Sequence, residues 1–372
     1  MSVSGSKGAI LKAFLAALYM EAVFCPVAPG WNDQSLSLQK GKESFWYSNG
    51  GGLTFLEGSF EPWGFLSKMK APSLVLRTSA SLSQGNWVGY EASNIEKQLK
   101  LHQQALFSKE NLRLQLLPLY HTFGMVLDAL LALYNSQSVL FIEVENLHTG
   151  HWLKWLPQAE WNIALTPRLA YMAARFVSSR GSLGLLHVGG APLTRTCREL
   201  CENVFERVVE GYGLTECGPG VLLENRPLEG IELRLENIQG DVGVLWIKTP
   251  MLGCWQSQKG QLVGQWFCSQ DLALQDNKGW KIVGRVDRFF KQTDGKWYSL
   301  DELEYHLSER FQLVAVKIKP SVGGGYIVQL LERDKEKTAK IISFIEEKTG
   351  LGSSLEILCE ESLFQKTTKA LL

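Results

Sequence analysis

Between residues 70 and 220 the apolar positions fall into short continuous runs that alternate with stretches of helical spacing. "SLVLRT" (73–78) reads as a buried strand, and "ASNIEKQLKLHQQAL" (92–106) as a helix capped by Ser93. A strand is expected at "LRLQLLPL" (112–119), a helix at "FGMVLDALLALYN" (123–135) and a strand at "SVLFIE" (138–143). "NIALTP" (162–167) leads into the helix "RLAYMAARFV", and the strand "LGLLHVGG" (183–190) ends in glycines. The helix "RTCRELCENVF" and the strand with its turn "RVVEGYG" complete the series. Strand and helix alternating at this spacing predict a parallel α/β sheet.

After residue 220 the period shortens. "GIELRLE", "GVLWIKTP" and "WKIVGRV" alternate apolar and polar positions between Gly and Asn turns, which predicts a β-rich subdomain over about 221–285. Beyond it, the helix "SLDELEYHLSERF", the strands "LVAVKIKP" and "GGYIVQLLE", the helix "KTAKIISFIEEKTG" and the strand "SLEILC" make a compact α+β unit joined through "GRVDRFFKQTDGK". The expected fold is α/β: a large N-terminal domain over residues 1–285, then a small C-terminal α+β domain over 286–372. Near the N-terminus, "GAILKAFLAALYMEAVFCPVAPG" is apolar, but Lys12 and Glu21 interrupt it and leave too short a run to span a bilayer. An amphipathic helix running into the strand "AVFCPVAP" accounts for the same residues.

Composition narrows the classes. The 372 residues are 45% hydrophobic, enough for a full core. Lys+Arg and Asp+Glu both number 38 and no basic run occurs, so nothing draws the chain to nucleic acid or anionic lipid. The seven cysteines, at 25, 197, 201, 217, 254, 268 and 359, contain no CxxC pair. Cys197 and Cys201 would share a helix face, yet no His or further Cys stands near them in sequence, so reduced thiols in a cytoplasmic protein fit better than zinc.

The chemistry concentrates in three segments. "VVEGYGLTECGPG" (208–220) sets a hydroxyl and a carboxylate side by side among glycines at the end of a strand. That is either a sharp turn or a site where the hydroxyl meets a phosphate and the carboxylate a cation. "HVGGAPL" (187–193) is either a glycine stop or a flat wall free of side chains. "LPLYHTFGM" (117–125) holds His121 after a proline turn.

The order of these pieces resembles the acyl-adenylate-forming superfamily of acyl-CoA synthetases, luciferases and peptide-synthetase adenylation domains. "GGAPL" (189–193), "EGYGLTE" (210–216) and "GQWFCSQDLALQDNKGWKIVGRVDRFFK" (264–291) carry the resemblance. It implies that Tyr212 stacks on adenine, Thr215 bonds a phosphoryl oxygen and Glu216 helps hold Mg²⁺. It further implies that the backbone of Gly189, Gly190 and Ala191 lies along adenine and acyl group, and that His121 orients the carboxylate. Asp271 would bind the ribose hydroxyls, Arg285 would neutralise nucleotide charge or contact the ribose, and Asp287 would be a hinge. The phosphate loop, "RTSASLSQGNWVGYEASN" (77–94), keeps Thr78, Ser79, Ser81 and Ser83, but Asn86 stands where a lysine is expected. In the tail "LFQKTTKALL" the lysines are Lys366 and Lys369, of which Lys369 is the choice for adenylate formation. The implied ligands are ATP, Mg²⁺, coenzyme A and a small carboxylic acid; a homodimer stays open. The match enters at "AFLAALYMEAVFCPVAPGW", without the initial segment of larger members. Within the superfamily, the stretch from Met251 to Phe290 looks most like o-succinylbenzoate–CoA ligases of menaquinone synthesis, whose acid needs a basic residue in its pocket. Arg77, Arg168 and His187 are the candidates. A general acyl-CoA synthetase and a non-catalytic nucleotide-binding relative are the alternatives.

Overall fold

The computed structural model describes residues 2–3, 7, 10–11, 14, 25–26, 38–48, 53–60, 73–78, 87–106, 112–142, 151–177, 183–253, 255–256, 262–291, 297–311, 313, 316–320, 326–330, 335–349 and 355–358. Its centre is a parallel sheet in the spatial order Ser138–Phe141, Leu112–Gln115, Asn162–Leu165, Leu183–Val188, Phe205–Leu214. Gly218–Leu223 and Arg226–Pro227 extend it in antiparallel sense. The α/β expectation is met, and every strand expected in this stretch is present. Leu183–Val188 is buried at all six positions, as a strand covered on both faces must be. Leu185 faces a core of Ile95, Leu99, Met125 and Val209, whereas Leu186 and Val188 face Leu169, Ala173 and Cys201.

The helices are built as their patterns require. Ala92–Ala105 buries Ile95, Gln98, Leu99 and His102, one stripe at helical spacing. Its N-cap is Glu91 rather than Ser93: the Glu91 N–H donates to Asn94 Oδ1 at 3.1 Å, and Asn94 is positioned to close that box where Ser93 is not. Pro167–Val177 opens on a proline, whose missing N–H costs nothing at that position. In Arg195–Glu202, capped by Thr194, Cys197 and Cys201 share the buried face. The run expected as an α-helix from 123 starts instead as a π-helix, Phe123–Leu130, and continues as α over Leu131–Tyr134. Gly124 lies in its first turn against the preceding loop, where a Cβ would stand 2.3 Å from the Pro118 carbonyl oxygen. Inside this layer Arg113 Nε donates to Asp128 Oδ1 at 2.7 Å and Gln115 Nε2 to Oδ2 at 2.9 Å, all three side chains being buried. The buried Lys7 ammonium caps the Leu116 carbonyl at 2.6 Å.

The β-rich stretch is an antiparallel sheet of Glu232–Gln239, Val242–Lys248, Trp266–Asp276 and Leu262–Val263, with Gly279–Arg285 also paired to Trp266–Asp276. Trp266–Asp276 was not among the expected strands, because "WFCSQDLALQD" breaks strict alternation. A third sheet joins Leu74–Arg77, Trp87–Tyr90 and Trp255–Gln256. Leu38–Ser48 and Leu53–Phe60 pair as a long hairpin that the sequence did not announce. After residue 286 the segment expected as a connector pairs instead as a hairpin, Phe289–Lys291 with Trp297–Ser299, and the expected order follows: the helix Leu300–Phe311, the strands Val316–Pro320 and Tyr326–Leu330, the helix Lys335–Thr349 and the strand Leu355–Leu358. Leu307, Ile318, Val328, Ile341 and Ile345 form a core of their own there. Among the described residues no helix is long and apolar enough to cross a membrane.

Candidate functional site

The Phe205–Leu214 strand runs out of the parallel sheet into a short 3₁₀ turn, Thr215–Cys217, that Gly218 ends at φ 87°. This is where the glycines are needed. A Cβ on Gly213 would lie 2.0 Å from the Pro219 carbonyl oxygen, so the turn folds back on itself only without a side chain. The turn presents Tyr212, Thr215 and Glu216, all half-buried.

Tyr212 reaches from the parallel sheet to the antiparallel one. Its hydroxyl donates to Asp271 Oδ2 at 2.5 Å. Asp271 and Arg285 face each other on paired strands, and Arg285 Nη1 donates to the other carboxylate oxygen at 3.0 Å. Asp271 is aimed by its neighbours: Gln270 takes φ 62°, a left-handed setting that costs about 1–2 kcal/mol in a non-glycine residue. The Asp271 N–H donates to Ser269 Oγ at 3.0 Å. Burial, then the adjacent carboxylate, push the Tyr212 phenol well above its usual range, so it stays a donor. Tyr212 and Arg285 thus address different oxygens of the one Asp271 carboxylate.

Thr215 is held twice. Its carbonyl accepts from the Tyr90 hydroxyl, and its Oγ1 accepts from Thr122 Oγ1 at 3.1 Å. A hydroxyl that already accepts is left with its own proton to donate, which suits a phosphoryl oxygen. Next to it, the Glu216 carbonyl accepts from the Gly253 N–H at 2.9 Å. Burial raises the pKa of the Glu216 carboxyl and Asp271 adds to this, while Arg285 opposes it. A carboxylate so disfavoured gains from a divalent cation, and its hard oxygens match Mg²⁺. Among the described residues no group of three or more His, Cys, Asp or Glu could hold a metal.

The other expected site residues fall as follows. Gly189 is buried against Phe123, a Cβ there standing 3.2 Å from the ring, and Gly190 at φ 85° and Ala191 are exposed beyond it. His121 is half-buried beside Tyr120, ring centroids 4.7 Å apart, one residue before the Thr122 that holds Thr215. Thr78 follows the Leu74–Arg77 strand, which pairs with the strand of Tyr90 and so is tied to the Thr215 turn. Ser79, Ser81, Ser83, Asn86, Lys366 and Lys369 lie outside the described residues, as does the side chain of Asp287, whose backbone is in the short turn Val286–Arg288. Of the basic candidates, Arg77 lies over the Trp87 ring at 5.7 Å, Arg168 is in the first turn of its helix, and His187 is buried beside Gly211. Sequence reasoning missed Tyr90, Thr122 and Ser269, which hold the site from three different elements; Thr122 alone carried a signal, as the hydroxyl beside His121.

Residues 80–253 match the model of the AMP-binding enzyme family. A long-chain-fatty-acid–CoA ligase of Yersinia pestis is 27% identical over 227 residues, 52% of this chain and 39% of that protein; the chain thus spans about two fifths of the relative's length. Among solved structures, MatB from Rhodopseudomonas palustris bound to ATP superposes with a TM-score of 0.74 at 16% identity, over 96% of this chain and 85% of that one. The o-succinylbenzoate coenzyme A synthetase of Bacillus subtilis, in complex with ATP and magnesium, gives 0.62 at 16% identity over 79% and 67%. At such identity these likenesses show the fold.

Proposed function

We propose, from the AMP-binding enzyme domain that residues 80–253 of this chain carry, that the protein is an ATP-dependent carboxylate–CoA ligase working through an acyl-adenylate. The observation that carries this reading is the Tyr212–Asp271–Arg285 cluster, an aromatic ring, a carboxylate and a guanidinium gathered beside Thr215 and Glu216. An adenine nucleotide needs that set: a ring to stack on, an acceptor for ribose hydroxyls and a positive charge near phosphate. Tyr212 takes the adenine, Asp271 the ribose, and Thr215 donates to the α-phosphoryl group. Glu216 would hold Mg²⁺, which would supply charge neutralisation on the phosphates.

His121 orients the acid so that one carboxylate oxygen meets the α-phosphorus. The new P–O bond forms as the bond to pyrophosphate breaks, and the Lys369 ammonium offsets the charge that develops. The thiol of coenzyme A then attacks the acyl carbon. AMP leaves with the C–O electron pair and the thiol proton passes to solvent. The working units are residues 1–285 and 286–372, turning about Asp287, within a cytoplasmic protein whose cysteines stay reduced. The proposed acid is o-succinylbenzoate, supported by the likeness of the 251–290 stretch and by the fold shared with the Bacillus subtilis synthetase.

The test is pyrophosphate release from ATP with a panel of carboxylic acids, o-succinylbenzoate and straight-chain fatty acids among them, followed by thioester formation with coenzyme A. Release with o-succinylbenzoate alone supports the substrate; release only with fatty acids moves the reading to a general acyl-CoA synthetase. ATP binding without release for any acid makes the protein a non-catalytic nucleotide binder.

A further inference from the structure

Beside the Thr215 turn one carboxylate ties together two of the segments that carry the site. The strands Leu183–Val188 and Phe205–Leu214 pair in parallel, with Val188 opposite Glu210. Residues 189–193 leave the sheet at that pair and return to it, where the Leu193 N–H donates to Glu210 Oε1 at 3.0 Å. The arch so formed is held at both feet. The Gly189 N–H donates to the Leu165 carbonyl at 3.2 Å, and the Leu193 side chain is buried in the core. Between the feet, Gly190, Ala191 and Pro192 are exposed.

The carboxylate at the returning foot is itself aimed. Glu210 Oε2 accepts from Arg198 Nη2 at 2.8 Å. Arg198 belongs to the helix Arg195–Glu202, into which the arch runs, and it also meets Glu224 at 3.3 Å and Glu202 at 3.7 Å. Glu224 in turn accepts from the Glu210 N–H at 2.5 Å, while its own N–H donates to the Glu210 carbonyl at 2.9 Å. Glu224 and Asn225 take φ 48° and 65°, two successive left-handed residues without a glycine, a costly setting that persists only where its surroundings hold it. Stability alone is a poor account of this cluster. Half-exposed ion pairs contribute little, and three carboxylates around one guanidinium repel one another. What the cluster achieves is orientation: one Glu210 oxygen is fixed on Arg198 and the other on the arch.

We propose that Glu210 is a positioning residue, holding the arch 189–193 in fixed relation to Tyr212 so that both meet one adenine base. This deepens the nucleotide reading above and rests on it. Side chains two apart on a strand project to the same side, so Glu210 and Tyr212 serve the same face of the sheet. The arch brings backbone to that face with no side chain at Gly189 or Gly190. Its returning foot stands where the Glu210 side chain reaches. The length of that side chain therefore matters more than its charge. An amide of equal length keeps the bond to Leu193, whereas a carboxylate one methylene shorter falls short of it or draws the arch out of place.

The test is calorimetric binding of ATP with Mg²⁺ to the full chain and to Glu210→Gln, Glu210→Asp and Glu210→Ala, each checked for folding by urea unfolding. Glu210→Gln keeps the reach and an acceptor oxygen, and Arg198 keeps Glu224 and Glu202; it is expected to bind within about threefold of wild type. Glu210→Asp keeps the charge without the reach and Glu210→Ala keeps neither, so both are expected to bind about 10- to 100-fold more weakly. A role confined to the ion pair with Arg198 gives the reverse order. Binding to Glu210→Asp as tight as to Glu210→Gln, or unchanged binding to Glu210→Ala, overturns the proposal while the nucleotide reading stands. Should Glu210→Ala fail to fold, the comparison of Glu210→Gln with Glu210→Asp decides alone. Absence of ATP binding to wild type overturns the nucleotide reading and the proposal together.

Discussion

The buried imidazoles make a quantitative prediction about acid stability. His102 titrates at about 4 in the folded protein, burial being the cause and the bond to Gln98 opposing it. In an unfolded chain a histidine titrates near about 6.5. Its folded value is depressed, so between these limits the unfolded chain binds more protons and stability rises with pH. The contribution is complete above about pH 6.5 and is lost as the pH falls toward 4. One pH unit within that window is worth about 1.4 kcal/mol, so lowering the pH from 7.5 to 5 removes on the order of 2 kcal/mol through His102 alone. His187 acts in the same direction. Glu216, raised by burial, acts oppositely, losing stability as the pH rises above about 4.5. The perturbation is His102→Gln, and the assay is urea unfolding of both proteins at pH 7.5 and pH 5. Comparing the pH-induced change in each protein cancels the cost of the substitution itself. The variant should lose about 2 kcal/mol less than wild type on acidification. If both lose the same amount, His102 is not a buried neutral imidazole and the argument fails.

Three further outcomes are expected. Asp271→Asn removes the charge that Arg285 and Tyr212 address, and should weaken ATP binding by about 10- to 100-fold in calorimetry; unchanged affinity would place the nucleotide elsewhere. Gly213→Ala drives a Cβ into the Pro219 carbonyl and should cost about 1–3 kcal/mol in denaturant unfolding, with a loss of ATP binding as the Thr215 turn shifts. Asp128→Ala strands the buried Arg113 guanidinium and should cost about 3–5 kcal/mol, whereas Arg113→Met combined with Asp128→Leu should recover most of it, both read by urea unfolding.

The local pattern was sufficient for much of this protein. Apolar runs of four to six residues between amphipathic stretches fixed the parallel sheet, because strand and helix periods differ and each buries its own face. The glycine-bounded "EGYGLTE" marked the turn that carries Tyr212, Thr215 and Glu216, since only glycine fits where a backbone folds onto itself at Gly213. Tertiary structure alone decided the rest. That Tyr212 meets Asp271, 59 residues away, follows from how two sheets pack, which no local period encodes. Tyr90 and Thr122 converge on Thr215 from a separate hairpin and a π-helix, and neither stands out in its own segment. His102 reads as an ordinary interior position of a helix, and His187, one of three basic candidates for the acid pocket, sits at the end of a strand with nothing along the chain to rank it. Only the folded chain sets them side by side against bare glycines, with His102 Nε2 and His187 Nδ1 unpaired among the described residues, because hydrogen-bond satisfaction depends on every neighbour in space and not on those along the chain.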